Sequence, residues 1–250
     1  MKSSDSSYFQ IHHFVVEIKR FEKNYSILQF FPSTLLQWQL VTLSILTSAE
    51  IKELEVLLNP ECQSDWLIER QKIVDANFSA QVQEDIDIRW SLLERVDLSN
   101  SRFKRLSLRH TLVDHCNASN AELNEARLDH VKITESKLTG TKLIEATIDH
   151  SHWLHCKGDY LQMQGAKGKK VVFEQCDLQY AYFNEANLRG ARFTDCDLSG
   201  ADFSKAQLAG ANFKGSKVDG IRLNTQQLRG VIVDVSQALY IAQMLGLTIA

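Results

Sequence analysis

The most regular pattern in the chain is an apolar or glycine residue at every fifth position from Leu93 to Leu223, with the small residue Ala118 once in that column. The column contains 27 consecutive units in one register. A second inward column, most often alanine, lies two residues before it, and polar residues fill the other three positions. A period of five fits neither a helix nor a flat strand, whereas an inward pair at positions one and three fits a short extended piece followed by a turn. The pattern therefore predicts a chain that coils, each unit forming one side.

Glycine recurs at the position just before the small inward residue, where a turn can use its freedom at positive φ. The positions are Gly140, Gly165, Gly190, Gly200, Gly210, Gly215 and Gly220. One side of a coil cannot bury its own inward residue, so stability has to come from stacked coils, as in other solenoids.

Several units, such as Cys196-Asp197-Leu198-Ser199-Gly200 and Ala201-Asp202-Phe203-Ser204-Lys205, resemble those of the pentapeptide-repeat family. The resemblance covers residues 91 to about 225. It implies a mainly β fold, a right-handed quadrilateral β-helix with about 20 residues in each coil. Residues 20 apart would then stack, and the interior would contain a core ladder of large side chains: Trp153, Phe173, Phe193 and Phe213 on one side and Phe183 and Phe203 on the opposite side.

Three regions follow from this pattern. Residues 1–70 are predicted to be a non-repeat, mixed N-terminal unit, residues 71–230 the solenoid, and residues 231–250 a C-terminal helix. A helix is also expected after Thr47, which forms a capping box with Glu50, with Ile51, Leu54, Leu57 and Leu58 on one face. Asp75 to Ser79 already resembles one repeat in the later register.

The C-terminal helix has its own start and stop signals. Asp234 with Gln237 can cap it, and Gly246 can end it. Its apolar face predicts either a cap over the last coil or a dimer seam, through Leu239, Ala242 and Leu245. The segments Leu228–Val231, Gln237–Leu239 and Leu245–Leu247 are similar to the tail of the quinolone-resistance pentapeptide proteins that protect DNA gyrase. This resemblance implies a homodimer through the helix.

The repeat is weakest where Gly158 and Gly168 occupy the inward column. Either the coil is irregular but continuous, or whole units from Lys157 to Lys170 loop out and carry Tyr160 and Met163 outward. Loops on rigid scaffolds often engage partners. The second alternative predicts a partner-binding loop of Lys157, Asp159, Tyr160, Met163, Lys167, Lys169 and Lys170.

Histidines and cysteines fall into columns as well. His110, His130 and His150 would stack at one corner, where they could bind a metal, sense pH or simply fill turn positions. Four of the five cysteines, Cys116, Cys156, Cys176 and Cys196, lie in the small inward column and are expected to be reduced packing residues. No ligand spacing supports zinc, and no metal or cofactor is expected.

Composition and charge exclude several functions. The net charge is −3, and residues 91–250 contain 20 basic and 18 acidic residues, so a basic nucleic-acid footprint is absent, as is a strongly acidic rod. The apolar stretch from Leu35 to Leu46 is too short and polar to span a bilayer, and a signal-peptide core is missing. These features favour a cytoplasmic protein without direct nucleic-acid or membrane contact. Catalytic motifs are absent, so no enzyme is expected.

Two functions from different classes remain open. The first is a non-enzymatic protein-binding solenoid, and the family resemblance implies a type II DNA topoisomerase such as gyrase as a partner, protected from a drug or toxin. The second is a bacterial scaffold or effector whose N-terminal unit sets specificity. A contiguous acidic face would favour the first, and a mixed surface the second.

Overall fold

The structure, a computed structural model, describes residues 54–57 and 67–249. Its strands are three or four residues long, as units of five residues with a turn require. The largest sheet has eight parallel strands in the order β1, β3, β6, β9, β11, β13, β15 and β16. Their bounds are Glu55–Leu57, Gln71–Val74, Leu92–Glu94, Leu112–Asp114, Lys132–Thr134, His152–Leu154, Val172–Glu174 and Arg192–Thr194.

The other faces of the coil are built in the same way. A six-stranded sheet has the order β14, β12, β10, β8, β5 and β2. Its strands are Lys167–Lys169, Thr147–Asp149, Arg127–Asp129, Ser107–Arg109, Asp87–Arg89 and Leu67–Glu69. A third face pairs β4, Val82–Glu84, with β7, Arg102–Lys104, and continues as single bridges such as Glu122 to Lys142. The fourth face consists of bridges from Asn77 through Asp97 and onwards to Lys217.

The register between coils confirms the predicted spacing of 20 residues. Leu93 pairs with Val113, and Trp153 pairs with Phe173. Backbone hydrogen bonds run from each coil to the next between these sheets as well, as from Leu138 N to Lys157 O at 2.6 Å. The domain is therefore a four-sided parallel β-solenoid, and Asp75 to Ser79 is part of it, with Ala76 and Phe78 buried.

The interior is the predicted core ladder. Phe193 stacks between Phe173 and Phe213, with ring centroids 5.1 and 5.0 Å apart, and meets Phe183 and Phe203 edge-on at 5.7 Å. Trp153 continues this column one coil earlier, 5.2 Å from Phe173. Stacked and edge-on rings are the favourable arrangements of aromatic pairs, so the two aromatic columns pack the full width of the coil.

The C-terminal helix α1, Val235–Met244, begins and ends at the residues that the sequence predicts. Asp234 Oδ1 accepts the Gln237 N–H at 2.9 Å, and Gln237 Oε1 accepts the Asp234 N–H at 2.9 Å, which completes the capping box. Gly246 follows the helix with φ +88°. The helix buries Gln237 and Ile241.

Two N-terminal predictions meet the described residues. The helix expected after Thr47 is wrong where it can be compared, because Glu55–Leu57 is a strand that pairs in parallel with β3, Gln71–Val74. The strand Leu67–Glu69 already pairs with Asp87–Arg89, four residues before the predicted start of the solenoid at residue 71. The remainder of the predicted unit 1–70 lies outside the described residues. Within the described part of the chain, no helix is long and apolar enough to cross a membrane.

Candidate protein-interaction surface

The segment from Lys157 to Lys170 is a continuous part of the coil, so the predicted looped-out excursion is wrong. Gly158 N donates to Asp177 O at 2.7 Å, and Gly168 N donates to Asn187 O at 2.8 Å, in the same ladder as the neighbouring coils. The segment also contains β14, which pairs with β12. The alternative of an unbroken coil is the one that the structure shows.

The coil stays closed because side chains of the following coil fill the places that the two glycines leave. A Cβ added to Gly158 would lie 3.1 Å from Leu178 Cδ2. At Gly168 it would lie 2.9 Å from Val171 Cγ2 and 3.0 Å from Leu188 Cδ2. At both positions a neighbouring side chain therefore occupies the space that a side chain on the glycine would take, so the interior remains packed.

The predicted loop residues divide accordingly. Met163 does not point outward: it occupies the inward column between Leu143 and Phe183 and is fully buried. The other six members lie on the surface, and five of them are exposed: Lys157, Tyr160, Lys167, Lys169 and Lys170, with Asp159 half-buried. They belong to different faces of the coil, so they do not form one loop.

Tyr160 is part of an exposed aromatic cluster at one corner. Its ring stacks on Tyr180 of the next coil, with centroids 5.3 Å apart and planes 14° apart. Tyr180 in turn covers Gly200, where an added Cβ would lie 2.6 Å from its ring. Tyr182 projects from the adjoining face, and the three side chains are 37–49% exposed. We call Tyr160, Tyr180 and Tyr182 the tyrosine corner.

A groove runs from the tyrosine corner towards the earlier coils. The corner column changes from Tyr160 to Gly140 and then to Asn120 and Asn100, so the surface drops beside the Tyr160 ring. Polar side chains line the groove: Asn100, Arg102, Asn120, Glu122, Lys142 and Gln162. An aromatic ridge beside a polar groove offers both apolar contact and hydrogen bonding to a partner.

The charged side chains of this surface pair between coils. Glu122 accepts from Lys142 Nζ at 2.8 Å and also pairs with Arg102, and these hydrogen bonds hold the pKa of Glu122 below its usual value. Lys205 pairs with Glu185 at 3.1 Å in the later coils. These pairs join opposite charges on successive coils, so the surface around them is mixed in charge.

The histidine column stacks as predicted and extends further than the sequence analysis recognised. Trp90 stacks on His110 with centroids 3.9 Å apart, and His110, His130 and His150 follow at 4.8 and 4.5 Å. The spacing of 20 residues between Trp90 and His110 was the available signal. Burial lowers the pKa of His150, and the neighbouring His130 and Lys170 lower it further.

One group in this column has metal-ligand chemistry. His110, Asp129 and His130 bring their ligand atoms within 4.8 Å of one another. However, His130 Nδ1 already lies 2.7 Å from Asp129 Oδ1, and the two rings are stacked at 22°. A nitrogen lone pair lies in its ring plane, so one ion could bind both imidazoles only after a ring turns.

The four cysteines in the described chain are buried and free. They lie in the small inward column, where Cys116 Sγ points to the carbonyl oxygens of Leu93 and Asp114. Burial raises the pKa of Cys116 to about 11, because a thiolate there would lose its hydration. A protonated, buried thiol is a packing group rather than a nucleophile or a ligand.

The predicted seam residues of α1 face outward. Leu239 is 47% and Leu245 is 41% exposed, and Ala242 is partly exposed. Leu247 and Ile249 just beyond the helix are exposed as well. The helix therefore uses one face to cap the last coil and presents a second, apolar face away from it.

Comparison with known proteins places the solenoid in a family. The family description "Pentapeptide repeat region" matches residues 113–183 and 168–223, all of them within the coils described above. Residues 113–223 are therefore a pentapeptide-repeat region. Among curated proteins none matches the sequence significantly.

Several solved structures are similar to the chain. A trypsin-treated form of QnrB1, a plasmid-mediated fluoroquinolone resistance protein, has 20% identity and a TM-score of 0.41, and the match covers 79% of this chain and 98% of QnrB1. Rfr23 from the cyanobacterium Cyanothece 51142 has 17% identity over 48% of this chain and 88% of Rfr23, with a TM-score of 0.36. HetL from Nostoc sp. strain PCC 7120, involved in heterocyst differentiation regulation, has 15% identity over 68% of this chain and 88% of HetL, with a TM-score of 0.31. Similarity at this level carries no information on activity.

Proposed function

We propose that this protein is a non-catalytic binding protein whose solenoid presents the tyrosine corner to a protein partner. The observation that carries the proposal is the stacking of Tyr160 on Tyr180 and of Tyr180 over Gly200, which fixes both rings in exposed positions. Tyrosine is enriched among the residues that contribute most to protein interfaces, because a large ring is buried at small cost in side-chain entropy.

The scaffold beneath the corner supports this function. Backbone hydrogen bonds tie each coil to the next, for example Tyr160 N to Gln179 O at 2.9 Å and Tyr180 N to Ser199 O at 2.9 Å. The rings therefore stay in place without a partner, and binding requires little further ordering. The adjoining polar groove supplies hydrogen-bonding groups for specificity.

The test is quantitative affinity capture of proteins from a bacterial lysate with three versions of the full chain. These are the wild type, the double variant Tyr160→Ala/Tyr180→Ala, and the control Arg189→Ala/Arg192→Ala, which removes two long exposed side chains from other faces. Proteins held by the wild type and the control, but lost at least about tenfold with the tyrosine variant, support the proposal, as expected for loss of about 1.4 kcal/mol or more. Equal capture by all three versions contradicts it.

A type II DNA topoisomerase is the more specific candidate partner. It is supported by the similarity of the C-terminal tail to gyrase-protecting pentapeptide proteins and by the exposed apolar face of α1, which fits a dimer seam. The mixed charge of the coil surface does not support a topoisomerase as the partner. Purified bacterial DNA gyrase provides the test: the wild type should inhibit supercoiling or protect the enzyme from a quinolone, and the tyrosine variant should do so less. No effect at tens of micromolar rejects this partner and leaves the binding platform intact.

The second candidate is a scaffold or effector whose specificity resides in residues 1–70. The mixed, ion-paired surface of the coils favours it, because such a surface suits a soluble spacer better than a DNA-like rod. If the lysate partners are retained by the tyrosine variant but lost when the N-terminal residues are altered, this candidate replaces the first.

A further inference from the structure

The corner column that contains Tyr160 lacks one side chain. Successive coils place Asn100, Asn120, Gly140, Tyr160 and Tyr180 at this corner, so a glycine separates two amides from two rings. Asn120 Nδ2 donates to Asn100 Oδ1 at 3.4 Å, and the Tyr160 ring stacks on Tyr180 with centroids 5.3 Å apart. The amide stack and the ring stack therefore both end at Gly140.

The gap at Gly140 has the dimensions of one planar group. Asn120 and Tyr160 are two coils apart, which is about 10 Å at the spacing of parallel strands. A planar group midway between them would lie about 5 Å from each, a distance at which planar side chains stack. We call the space between the Asn120 amide and the face of the Tyr160 ring that points away from Tyr180 the glycine slot.

The side chains at this corner lean towards the later coils and leave the slot open. A Cβ added to Gly200 would lie 2.6 Å from the Tyr180 ring, and one added to Gly140 would lie 2.6 Å from Asn120 Oδ1. The Tyr160 ring does not lean back over Gly140, since none of its atoms lies within 4 Å of that added Cβ. Tyr160 is 47% exposed, and the slot opens into the polar groove.

The groups around the slot suit a planar cation. Asn120 Oδ1 lies on the side of Gly140, where it can accept a hydrogen bond, and the face of the Tyr160 ring attracts positive charge. Thr139 lines the groove and donates its hydroxyl to Asp159 Oδ1 at 2.6 Å, so the Asp159 carboxylate lies beside the slot. Among the described residues no basic side chain forms an ion pair with Asp159, whereas Glu122 already pairs with Lys142.

We propose that the glycine slot binds an arginine side chain of the protein partner, an inference that rests on the proposed function. The guanidinium plane stacks on the Tyr160 ring, its N–H groups donate to Asn120 Oδ1, and Asp159 supplies the opposite charge. Arginine is the side chain that combines these properties, because its head group is planar, permanently charged and rich in N–H donors. Lysine has the charge without the plane.

The first measurement is fluorine NMR of the full chain labelled with 3-fluorotyrosine, with N-acetyl-L-argininamide as the probe. The signal that is lost in Tyr160→Phe identifies the Tyr160 resonance. We expect this resonance to shift with saturation at a dissociation constant on the order of 10 mM, because an exposed cation–π contact and an exposed ion pair are each weak.

Two further probes separate the plane from the charge in the wild type. The N-acetyl amide of lysine lacks the plane, and the N-acetyl amide of citrulline lacks the charge. Both should bind at least about threefold more weakly than the arginine probe. Equal binding of the three probes, or no saturable shift of the Tyr160 resonance up to about 100 mM, would overturn the proposal.

Gly140→Asn tests the slot itself. Asn120 occupies the same corner with φ of +57°, so the backbone of Gly140, with φ of +65°, accepts asparagine, and the new amide extends the amide stack into the slot. Binding of the arginine probe should weaken at least about tenfold. Gly190→Asn is the matched control, because Gly190 has φ of +68° at another corner and no atom lies within 4 Å of the added Cβ. Circular dichroism checks that the coils remain folded.

Asp159→Asn is a second variant that leaves the slot open. It should weaken binding of the arginine probe by about two- to fivefold at low salt and reduce the dependence of binding on ionic strength. Full binding by Gly140→Asn would show that the probe binds elsewhere and would overturn the proposal. Binding by Asp159→Asn with an unchanged affinity and salt dependence would do the same.

The capture experiment separates this inference from the proposed function. If Gly140→Asn and Tyr160→Ala/Tyr180→Ala lose the same proteins while Gly190→Asn retains them, both are supported. If Gly140→Asn retains the proteins that the tyrosine variant loses, the tyrosine corner binds its partner without an arginine in the slot, and only the inference fails. If all versions capture the same proteins although the arginine probe binds the wild type, the proposed function fails and the slot remains a guanidinium site.

Discussion

At the corners of the coils, residues of many types adopt a backbone conformation that usually favours glycine. Gly140 and Gly200 have φ of +65° and +70°, as their sequence positions predict, but Asn120, His130 and Glu185 take φ of +54° to +62° at equivalent corners. A non-glycine residue there costs about 1–2 kcal/mol. The backbone hydrogen bonds between coils offset this cost, since His130 N donates to Asp149 O at 3.0 Å.

The residue scale also shows which side-chain positions a sequence can predict. The period of five identified the inward column, and Phe193 and Trp153 are buried there. It also treated the glycine at 158 as an empty slot, because the filling of that slot by Leu178 depends on a contact between coils. The corner stacks of Trp90 with His110 and Tyr160 with Tyr180 follow from the spacing of 20 only once the four-sided coil is known.

Phe193→Ala should be among the most destabilising single changes in the solenoid. The ring is 1% exposed and stacks between Phe173 and Phe213, so its removal leaves a cavity that rigid neighbours cannot fill. We expect a loss of about 3–5 kcal/mol in the free energy of unfolding, measured by denaturant titration. The adjacent exposed Arg192→Ala should change it by less than about 0.5 kcal/mol. A loss below about 1 kcal/mol for Phe193→Ala would contradict the buried ladder.

At the scale of elements, the local sequence predicted the C-terminal helix correctly. It failed for a segment that could join the edge of a sheet. Asp234, Gln237 and Gly246 predicted both ends of α1. The spacing of Leu54, Leu57 and Leu58 predicted a helix, yet Glu55–Leu57 pairs as a strand with β3. A short segment next to an unpaired strand gains a whole row of backbone hydrogen bonds by joining it, and this tertiary gain exceeds a weak helical preference.

Gln237 links the helix to the solenoid, and Gln237→Ala should loosen this link. Its Nε2 donates to Phe213 O at 2.6 Å and to Ser216 O at 2.7 Å, while its Oε1 caps the helix. We expect a loss of about 1–3 kcal/mol in the stability of the helix, seen as faster amide hydrogen exchange from Val235 to Met244. Gln243→Ala, at an exposed position of the same helix, is the control. Unchanged exchange in Gln237→Ala would show that other contacts hold the helix.

At the scale of the whole molecule, the sequence predicted the architecture of the coils more completely than their surfaces. The repeat established the inward columns, because inward positions obey one packing rule in every coil, and the resemblance to the pentapeptide-repeat family implied the four-sided coil. Surfaces follow no such rule: the tyrosine corner brings together Tyr160 with Tyr180 and Tyr182, which are 20 and 22 positions further along the chain. The composition of such a surface can be read from the sequence only after each residue has been assigned to its face of the coil.

The last prediction concerns the oligomeric state. The helix α1 buries Gln237 and Ile241 against its own coil but leaves Leu239 and Leu245 exposed, with Ala242 between them. Exposed apolar side chains on one face of a helix are suited to an isologous interface, in which the same patch meets its copy across a twofold axis. Such a dimer would join two solenoids end to end and double the length of the available surface.

Leu239→Asp/Leu245→Asp should therefore give a folded monomer, because symmetry places each new charge in the seam twice and buried charges without partners are strongly unfavourable. Light scattering at tens of micromolar should show a dimer for the wild type and a monomer for the variant, with the β-sheet circular dichroism unchanged. Arg229→Asp, an exposed change just before the helix, is the control for added negative charge. A wild type that is already monomeric would reduce the helix to a cap of its own solenoid. Loss of the β-sheet signal in the double variant would instead mean that these leucines stabilise their own chain, and the end-to-end geometry that favours a topoisomerase partner would lose its support.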